Sequence, residues 1–82
     1  MEQQITCKVE SFWDAEAEVW VATSADVPGL ATEADTIEAL SQKLREMIPE
    51  LMVLNNIISS NYVGYIEFQL TSHREEQIKV AS

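Results

Sequence analysis

The chain has 82 residues, with fourteen Asp and Glu against five Lys and Arg, and its formal net charge is −9 at pH 7. A chain of this length forms one small domain, which buries roughly 60–65% of the surface that its unfolded form exposes. Its single cysteine excludes an internal disulfide, and its scattered cations disfavour direct binding of nucleic-acid phosphates. The negative charge either keeps a small domain soluble or attracts a basic protein partner.

The N-terminus and the longest apolar stretch predict a cytoplasmic protein. The first residues, MEQQ, have neither a basic region nor an apolar run after them, whereas a signal peptide would have both. The near-apolar stretch from Met47 to Ile58 is interrupted by Pro49, a glutamate and two asparagines, and it is too short to span a bilayer. Because the chain is so short, we also expect a single domain over residues 1–82.

The first third of the chain predicts two strands joined by a hairpin. Residues 5–13, ITCKVESFW, alternate apolar and polar side chains, which is typical of a half-buried strand. The alternation stops at Asp14–Glu18, which predicts the loop. Residues 19–24, VWVATS, predict the second strand.

The hairpin loop sets the expected register of these strands. A loop of about four residues places Trp20 and Ala22 opposite Ser11 and Val9, on the face that carries Cys7. The valines of the second strand then point to the opposite face, so both faces of that strand are apolar. A strand wetted on one side would not need this pattern.

A turn and a helix start follow the second strand. Pro28-Gly29 predicts a turn, because proline presets φ and glycine tolerates positive φ. Leu30 to Glu33 then predicts a short third strand. Asp35 is the expected N-cap of a helix, and Glu38 three residues later completes an aspartate version of the capping box.

One long amphipathic helix is the central element of the prediction. Its apolar residues recur at mostly three- and four-residue steps. They are Ile37, Leu40, Leu44, Met47, Ile48, Leu51 and Leu54. Pro49 lies inside the pattern, but the stripe keeps its phase across it. We therefore predict that Pro49 kinks one helix from about Thr36 to Leu54 rather than ending it.

Residues 62–72, YVGYIEFQLTS, predict the last strand, with Ile66, Phe68 and Leu70 on one face. The element order is β-β-β-α-β. We expect an α+β fold in which one long helix packs on one face of an antiparallel sheet. The tail from Ile78 to Ser82 is expected to be extended or disordered.

The residue pattern predicts no catalytic, cofactor or metal site. His73, the single histidine, lies beside Arg74 and Glu75 without a nucleophile or an orienting partner, which favours an exposed surface residue. Cys7 lies on the apolar face of its strand, which is typical of a core thiol. One cysteine and one histidine do not supply the ligands of a zinc site.

Two further groups have a plainer interpretation than a binding site. Asp14, Glu16 and Glu18 lack the glycine and the ligand spacing of a calcium loop, which favours a solvated turn. Trp13 and Trp20 have no cluster of cations beside them, as a nucleic-acid platform would need. We expect the tryptophans to lie in the core or at an interface.

The segment VWVATSADVPGLATEADTIEAL resembles the core of HicB-like antitoxins. It combines a strand of valine and aromatic residues, a D-hydrophobic-P-G turn, the motif T-x-x-D-T and a helix. The similarity runs from about Ile5 to His73 and is greatest to the short, single-domain branch of unknown function. Leu30 stands where many such proteins have cysteine, Ala34 where glycine is common and Ala39 where a second glutamate is common.

The resemblance implies a non-catalytic protein-binding module, which docks on and masks a small basic ribonuclease toxin. It also implies the absence of a separate DNA-binding domain, because the sequence stops at Ser82. The alternatives are an orphan domain that has lost its partner, or a small-molecule-binding or enzyme domain of unknown activity.

The excess of apolar residues predicts a homo-oligomer, and a two-fold dimer in particular. The core of so short a chain is thin. Met52, Val53, Ile57 and Ile58 exceed what one contact of a helix with a sheet buries. A self-complementary two-fold contact covers such a patch with a second copy of itself. Alternatively, the tail folds back through Ile78 and Val80 and covers the patch within one chain.

Overall fold

The computed structural model describes residues 3–81. Its elements follow the expected β-β-β-α-β order: β1 Gln3–Asp14, β2 Val19–Thr23, β3 Ala31–Ala34, α1 Ile37–Leu54 and β4 Gly64–His73. They form one sheet of spatial order β3-β2-β1-β4. One face of the sheet packs against α1, which confirms the α+β fold.

The sheet is mixed rather than wholly antiparallel. β1 pairs with β2, and β2 with β3, in antiparallel fashion, but β4 runs parallel to β1. The helix explains this difference. It carries the chain back across the sheet after β3, so β4 runs in the same direction as β3 and β1. The prediction of an antiparallel last strand was therefore wrong.

The hairpin register differs by two residues from the expected one. Ser11 lies opposite Ala22, and Trp13 opposite Trp20, because β1 continues to Asp14 and the turn occupies only residues 15–18. A shift of two residues keeps every side chain on its face, since the side-chain period of a strand is two. Ala22 and Trp20 therefore still lie on the face of Cys7, as predicted.

The helix begins one residue later than the predicted cap. Thr36, not Asp35, is the N-cap, and its hydroxyl accepts a hydrogen bond of 3.0 Å from the amide of Ala39. Thr36 has extended backbone angles, as an N-cap requires. With Thr36 as the cap, Ala39 takes the third helical position, so the predicted box of Asp35 and Glu38 does not form.

The buried stripe of α1 follows one row of four-residue steps. Leu40, Leu44, Ile48 and Met52 are each at most 1% exposed. Met52 was expected off the main face, and Leu54 on it, but Leu54 is 76% exposed. Leu54 lies about 100° around the helix from the centre of the buried row, since each residue turns about 100°.

The helix passes through Pro49 without a break and ends in a Schellman motif. The one continuous helix is confirmed, and a bend at Pro49 stays a prediction. At the end, Asn56 adopts the left-handed conformation with φ of +58°. The amide of Ile57 donates to the carbonyl of Met52, and that of Asn56 to Val53, which satisfies the last carbonyl groups.

The Pro28-Gly29 turn is confirmed and is fastened to the end of the helix. Gly29 has φ of +84°, a conformation that glycine adopts without strain, and the amide of Leu30 donates to the carbonyl of Val27 at 3.1 Å. The side-chain amide of Asn55 donates to the carbonyl of Pro28 at 3.0 Å. These bonds fix the loop that leads from β2 into β3.

The excess apolar patch is smaller than predicted. Met52 is in the core, and Ile58 packs partly against it. Val53 and Ile57 remain 37% and 42% exposed.

The N-cap generates a direct test. We expect Thr36→Ala to lower the free energy of unfolding by about 1 kcal/mol, because the amide of Ala39 loses its acceptor. Asp35→Ala is the matched control and should change it by less than about 0.5 kcal/mol. Urea titration of both variants measures the difference. A greater loss in Asp35→Ala would show that the aspartate is the cap.

Candidate functional site

The face of the sheet opposite α1, which we call the open face, is acidic. The alternation that buries Cys7 and Val9 against the helix turns the other side chains of each strand to this face. Its exposed carboxylates include those of Glu10 on β1, Glu33 on β3 and Glu67 on β4.

The carboxylate of Glu67 is held in place by a neighbouring strand. The side-chain amide of Gln4 donates to it at 2.9 Å. Lys8 supplies a positive charge on the same face of β1. Hydrogen bonding of this kind fixes the direction of a carboxylate without removing its charge. The open face therefore presents the carboxylate of Glu67 in a fixed direction.

A stacked aromatic pair lies among these carboxylates. The rings of Phe12 and His73 are 4.7 Å apart between centroids and 15° from parallel. The parallel register places the two residues side by side on β1 and β4. Phe12 is 49% exposed, and Tyr65, farther along the same face, is 61% exposed. His73 is exposed, as predicted.

The two tryptophans form a second aromatic cluster on the helix side of the sheet. Their rings lie 5.3 Å apart between centroids at 60°. The guanidinium of Arg74 lies 4.3 Å from the ring centroid of Trp13, a cation–π geometry. Both tryptophans are half-buried, which is compatible with the predicted core or interface role.

The loop after β2 is hydrogen-bonded to the middle of β1. The backbone amide of Lys8 donates to the carboxylate of Asp26 at 2.7 Å, and the hydroxyl of Ser24 donates to the carbonyl of Lys8. The hydroxyl oxygen of Ser24 also accepts from the amides of Asp26 and Val27. These contacts satisfy the backbone of β1 beyond the end of β2.

Cys7 is a buried free thiol, as predicted. Its burial, and then the nearby carboxylate of Asp26, raise the pKa of the thiol above its ordinary value. Both causes disfavour the thiolate, which is the reactive form of cysteine. The position therefore suits a core residue and not a nucleophile.

The carboxylate of Asp14 stabilises the first hairpin turn, where Glu16 and Glu18 are exposed. The carboxylate of Asp14 accepts from the amides of Glu16 and Ala17 at 3.0 and 3.2 Å. Within residues 3–81, no three His, Cys, Asp or Glu side chains are placed to hold a metal ion. Over the same range, no helix combines the length and apolar character that crossing a membrane requires.

Residues 6–82 match the model of a family described as a domain of unknown function, DUF1902. The chain belongs to the DUF1902 family. Its fold is similar to the crystal structure of hypothetical protein TTHA1013 from the extremely thermophilic bacterium Thermus thermophilus. The two are 45% identical with a TM-score of 0.69, over 89% of this chain and 99% of that one. No curated protein matches the chain.

Sequence reasoning missed the Phe12–His73 pair, because the pair depends on the parallel register of two strands 61 residues apart. It also missed the contact of Arg74 with Trp13. The available signal was local: His73 ends an alternating strand and Arg74 follows it, so the two side chains leave the strand end in different directions. From this difference one could have looked for an aromatic contact of His73 on one face and of Arg74 on the other.

The raised pKa of Cys7 generates a prediction about pH and stability. The folded protein holds the thiol proton to a higher pH than the unfolded chain, whose thiol ionises near the ordinary value of 9.0. The resulting stabilisation is present below that pH and is lost as pH rises through the folded pKa. We expect the free energy of unfolding to fall more steeply from about pH 8 to 10.5 than in Cys7→Ala.

Urea titrations of both proteins across this range measure the effect. Tyrosine and lysine titration is common to both proteins and cancels in the comparison. Parallel curves would mean that Cys7 ionises equally easily in the folded and unfolded states.

Proposed function

We propose that this DUF1902 domain is a non-catalytic protein-binding module whose partner is a small basic protein. The observation that carries the proposal is the acidic open face, which carries Glu10, Glu33 and Glu67 together with the exposed aromatic side chains of Phe12 and Tyr65. Exposed carboxylates steer a cationic partner and disfavour partners of like charge. Exposed aromatic rings then supply the apolar contact area that interfaces favour.

The resemblance of residues 19–40 to HicB-like antitoxins supports a partner class. In such a pair the partner is a small basic ribonuclease toxin, and the antitoxin core masks it. The net charge of −9 suits that role, because a basic ribonuclease needs its cations to hold RNA phosphates. A carboxylate face competes for the same cations.

The layout of the open face supports binding through this surface. Glu33, Val21, Phe12 and His73 form one row across all four strands, as the pairing registers show. With strands about 4.8 Å apart, the row spans roughly 14 Å. A row of this width combines a carboxylate at one end, apolar side chains in the middle and an imidazole at the other end.

A search for a small basic protein encoded next to this chain's gene, followed by a binding measurement with that protein, tests the proposal. We expect a complex in which the ribonuclease activity of that protein is suppressed. Neutralising Glu10, Glu33 and Glu67 together to glutamine should weaken the affinity about tenfold, at up to about 1 kcal/mol for each exposed charge pair. Titration calorimetry measures the affinity, and cleavage of a labelled RNA measures the masking.

The helix offers a matched control. Glu38, Glu46 and Glu50 are exposed on α1, and their change to glutamine removes the same three charges away from the open face. We expect this variant to bind within about twofold of the unchanged chain. Equal losses in both variants would show that net charge alone steers binding. A genome without a basic neighbour, or a neighbour that does not bind, contradicts the toxin partner and favours an orphan domain.

Salt dependence provides a second test. Attraction between exposed charges decays over about 8 Å at physiological ionic strength. The affinity of the unchanged chain should therefore fall as salt is raised, and the open-face variant should respond less. An affinity that stays constant from low to high salt would indicate an apolar interface instead.

A further inference from the structure

The outer edge of β4 is long and weakly charged. Within residues 3–81, β4 pairs with β1 alone, so its other edge presents free backbone groups. Glu67 is the single acidic or basic residue among its ten residues, His73 aside, although 23% of the chain is charged. Soluble proteins usually shorten, charge or cover such an edge.

The opposite edge of the sheet shows that protection. β3 has four residues, one of them Glu33. The ammonium group of Lys43 donates to the carbonyl of Glu33 at 2.6 Å and so covers part of that edge. The β3 edge of the sheet is therefore short and partly covered, whereas the β4 edge is long and open for pairing.

An apolar groove runs between β4 and α1. The inward side chains Ile66, Phe68 and Leu70 are only half-buried. Two adjoining cavities of about 100 and 390 Å³ lie between them and the helix, and Arg45 borders both. The helix therefore covers β4 only in part, and a neighbour along this edge would complete the layer.

A further cavity of about 450 Å³ lies at the Gly64 end of the sheet. Its lining is mixed, with the apolar residues Ile5, Ile57, Ile58 and Val63 beside the polar residues Gln3, Ser59, Asn61 and Tyr62. Ile57 is 42% exposed and Val63 76%. These side chains are the remaining apolar surface at that end.

The C-terminal tail carries matching apolar side chains at the other end of β4. Ile78 and Val80 are 88% and 86% exposed. They follow Arg74, which contacts Trp13 just beyond the end of β4. The molecule is 63 Å long, whereas the twelve residues of β1 span only about 40 Å. The tail therefore extends the long axis beyond the sheet.

We propose that the β4 edge binds the β4 edge of a second copy of this chain, antiparallel and about a two-fold axis. Such pairing places the His73 end of one β4 beside the Gly64 end of the other. The tail of each chain then passes the cavity of its neighbour, where Ile78 and Val80 can contact Ile5 and Ile58. This single two-fold contact covers the free edge of β4, the apolar groove and the exposed tail.

The charges along β4 permit this contact. With the axis at Gln69, Glu67 of one chain lies opposite Thr71 of the other, and Tyr65 lies opposite His73. No two carboxylates face each other along β4, although each chain has a net charge of −9. The open face, which carries the acidic groups proposed for the basic partner, stays free in this dimer.

Sedimentation and light scattering at micromolar concentration test the pairing. We expect a mass of twice 9.2 kDa. Gln69→Glu sets like charges against each other at the axis and should raise the dimer Kd at least tenfold. Ala17→Glu adds the same charge in the β1–β2 turn and should leave the Kd within twofold. A mass of 9.2 kDa for the unchanged chain, or equal effects of the two variants, overturns the proposal.

The double variant Ile78→Ser/Val80→Ser tests the tail. Both side chains are exposed within one chain, so their loss leaves the fold of the monomer intact. We expect the dimer Kd to rise at least tenfold, and an unchanged Kd overturns the docking of the tail.

A spin label shows whether the tail crosses between chains. Val80→Cys is labelled on one chain and mixed with unlabelled, nitrogen-15 chain; Cys7, 2% exposed, does not take the label. We expect broadening of the Ile57 and Ile58 amide signals in the unlabelled partner. Broadening only when label and isotope share one chain shows that the tail folds back, and overturns the exchange. The variant Glu10→Gln/Glu33→Gln, whose two residues lie on β1 and β3 away from the β4 edge, should dimerise unchanged, which separates this test from that of the basic partner.

Discussion

The fold depends on a single layer of apolar contacts between α1 and the sheet. Leu40, Leu44, Ile48 and Met52 form the helix side of this layer, and Cys7, Val9 and Ala22 lie in the same core. Each of the four helix side chains contributes about 1.5–3 kcal/mol by its burial. Because the layer is one side chain deep, the loops must hold the helix in place. The Thr36 cap fastens its start, and the bond from Asn55 to Pro28 fastens its end.

Local patterns predicted the elements of this fold better than their pairing. The strand faces follow from alternation, so a two-residue error in the hairpin register left Trp20 and Ala22 on the right side. The helix follows from its apolar period, although Met52 and Leu54 exchanged roles because the buried row drifts around the helix. The direction of β4 depends on the path of the chain over the sheet. No local pattern contains that information.

The candidate surfaces were only partly predictable for the same reason. The net charge was compatible either with solubility alone or with a basic partner, and the collection of Glu10, Glu33 and Glu67 on one face required the order of the strands. The expected apolar excess lies only partly where it was predicted. Met52 is buried, and Val53 and Ile57 stay partly exposed, whereas Ile78 and Val80 are among the most exposed apolar side chains that the structure describes. The acidic face and the apolar edge are thus separate surfaces of one small sheet.

The parallel pairing of β1 with β4 also has a consequence for how the chain folds. Every pair, from Gln3–Gly64 to Phe12–His73, joins residues 61 positions apart. Contacts so distant in sequence form slowly, because a long loop must close before any of them gains free energy. The hairpin of β1 and β2 and the helix can form earlier from local contacts. During that interval one edge of β1 stays unpaired, and it is then the part of the chain most open to aggregation.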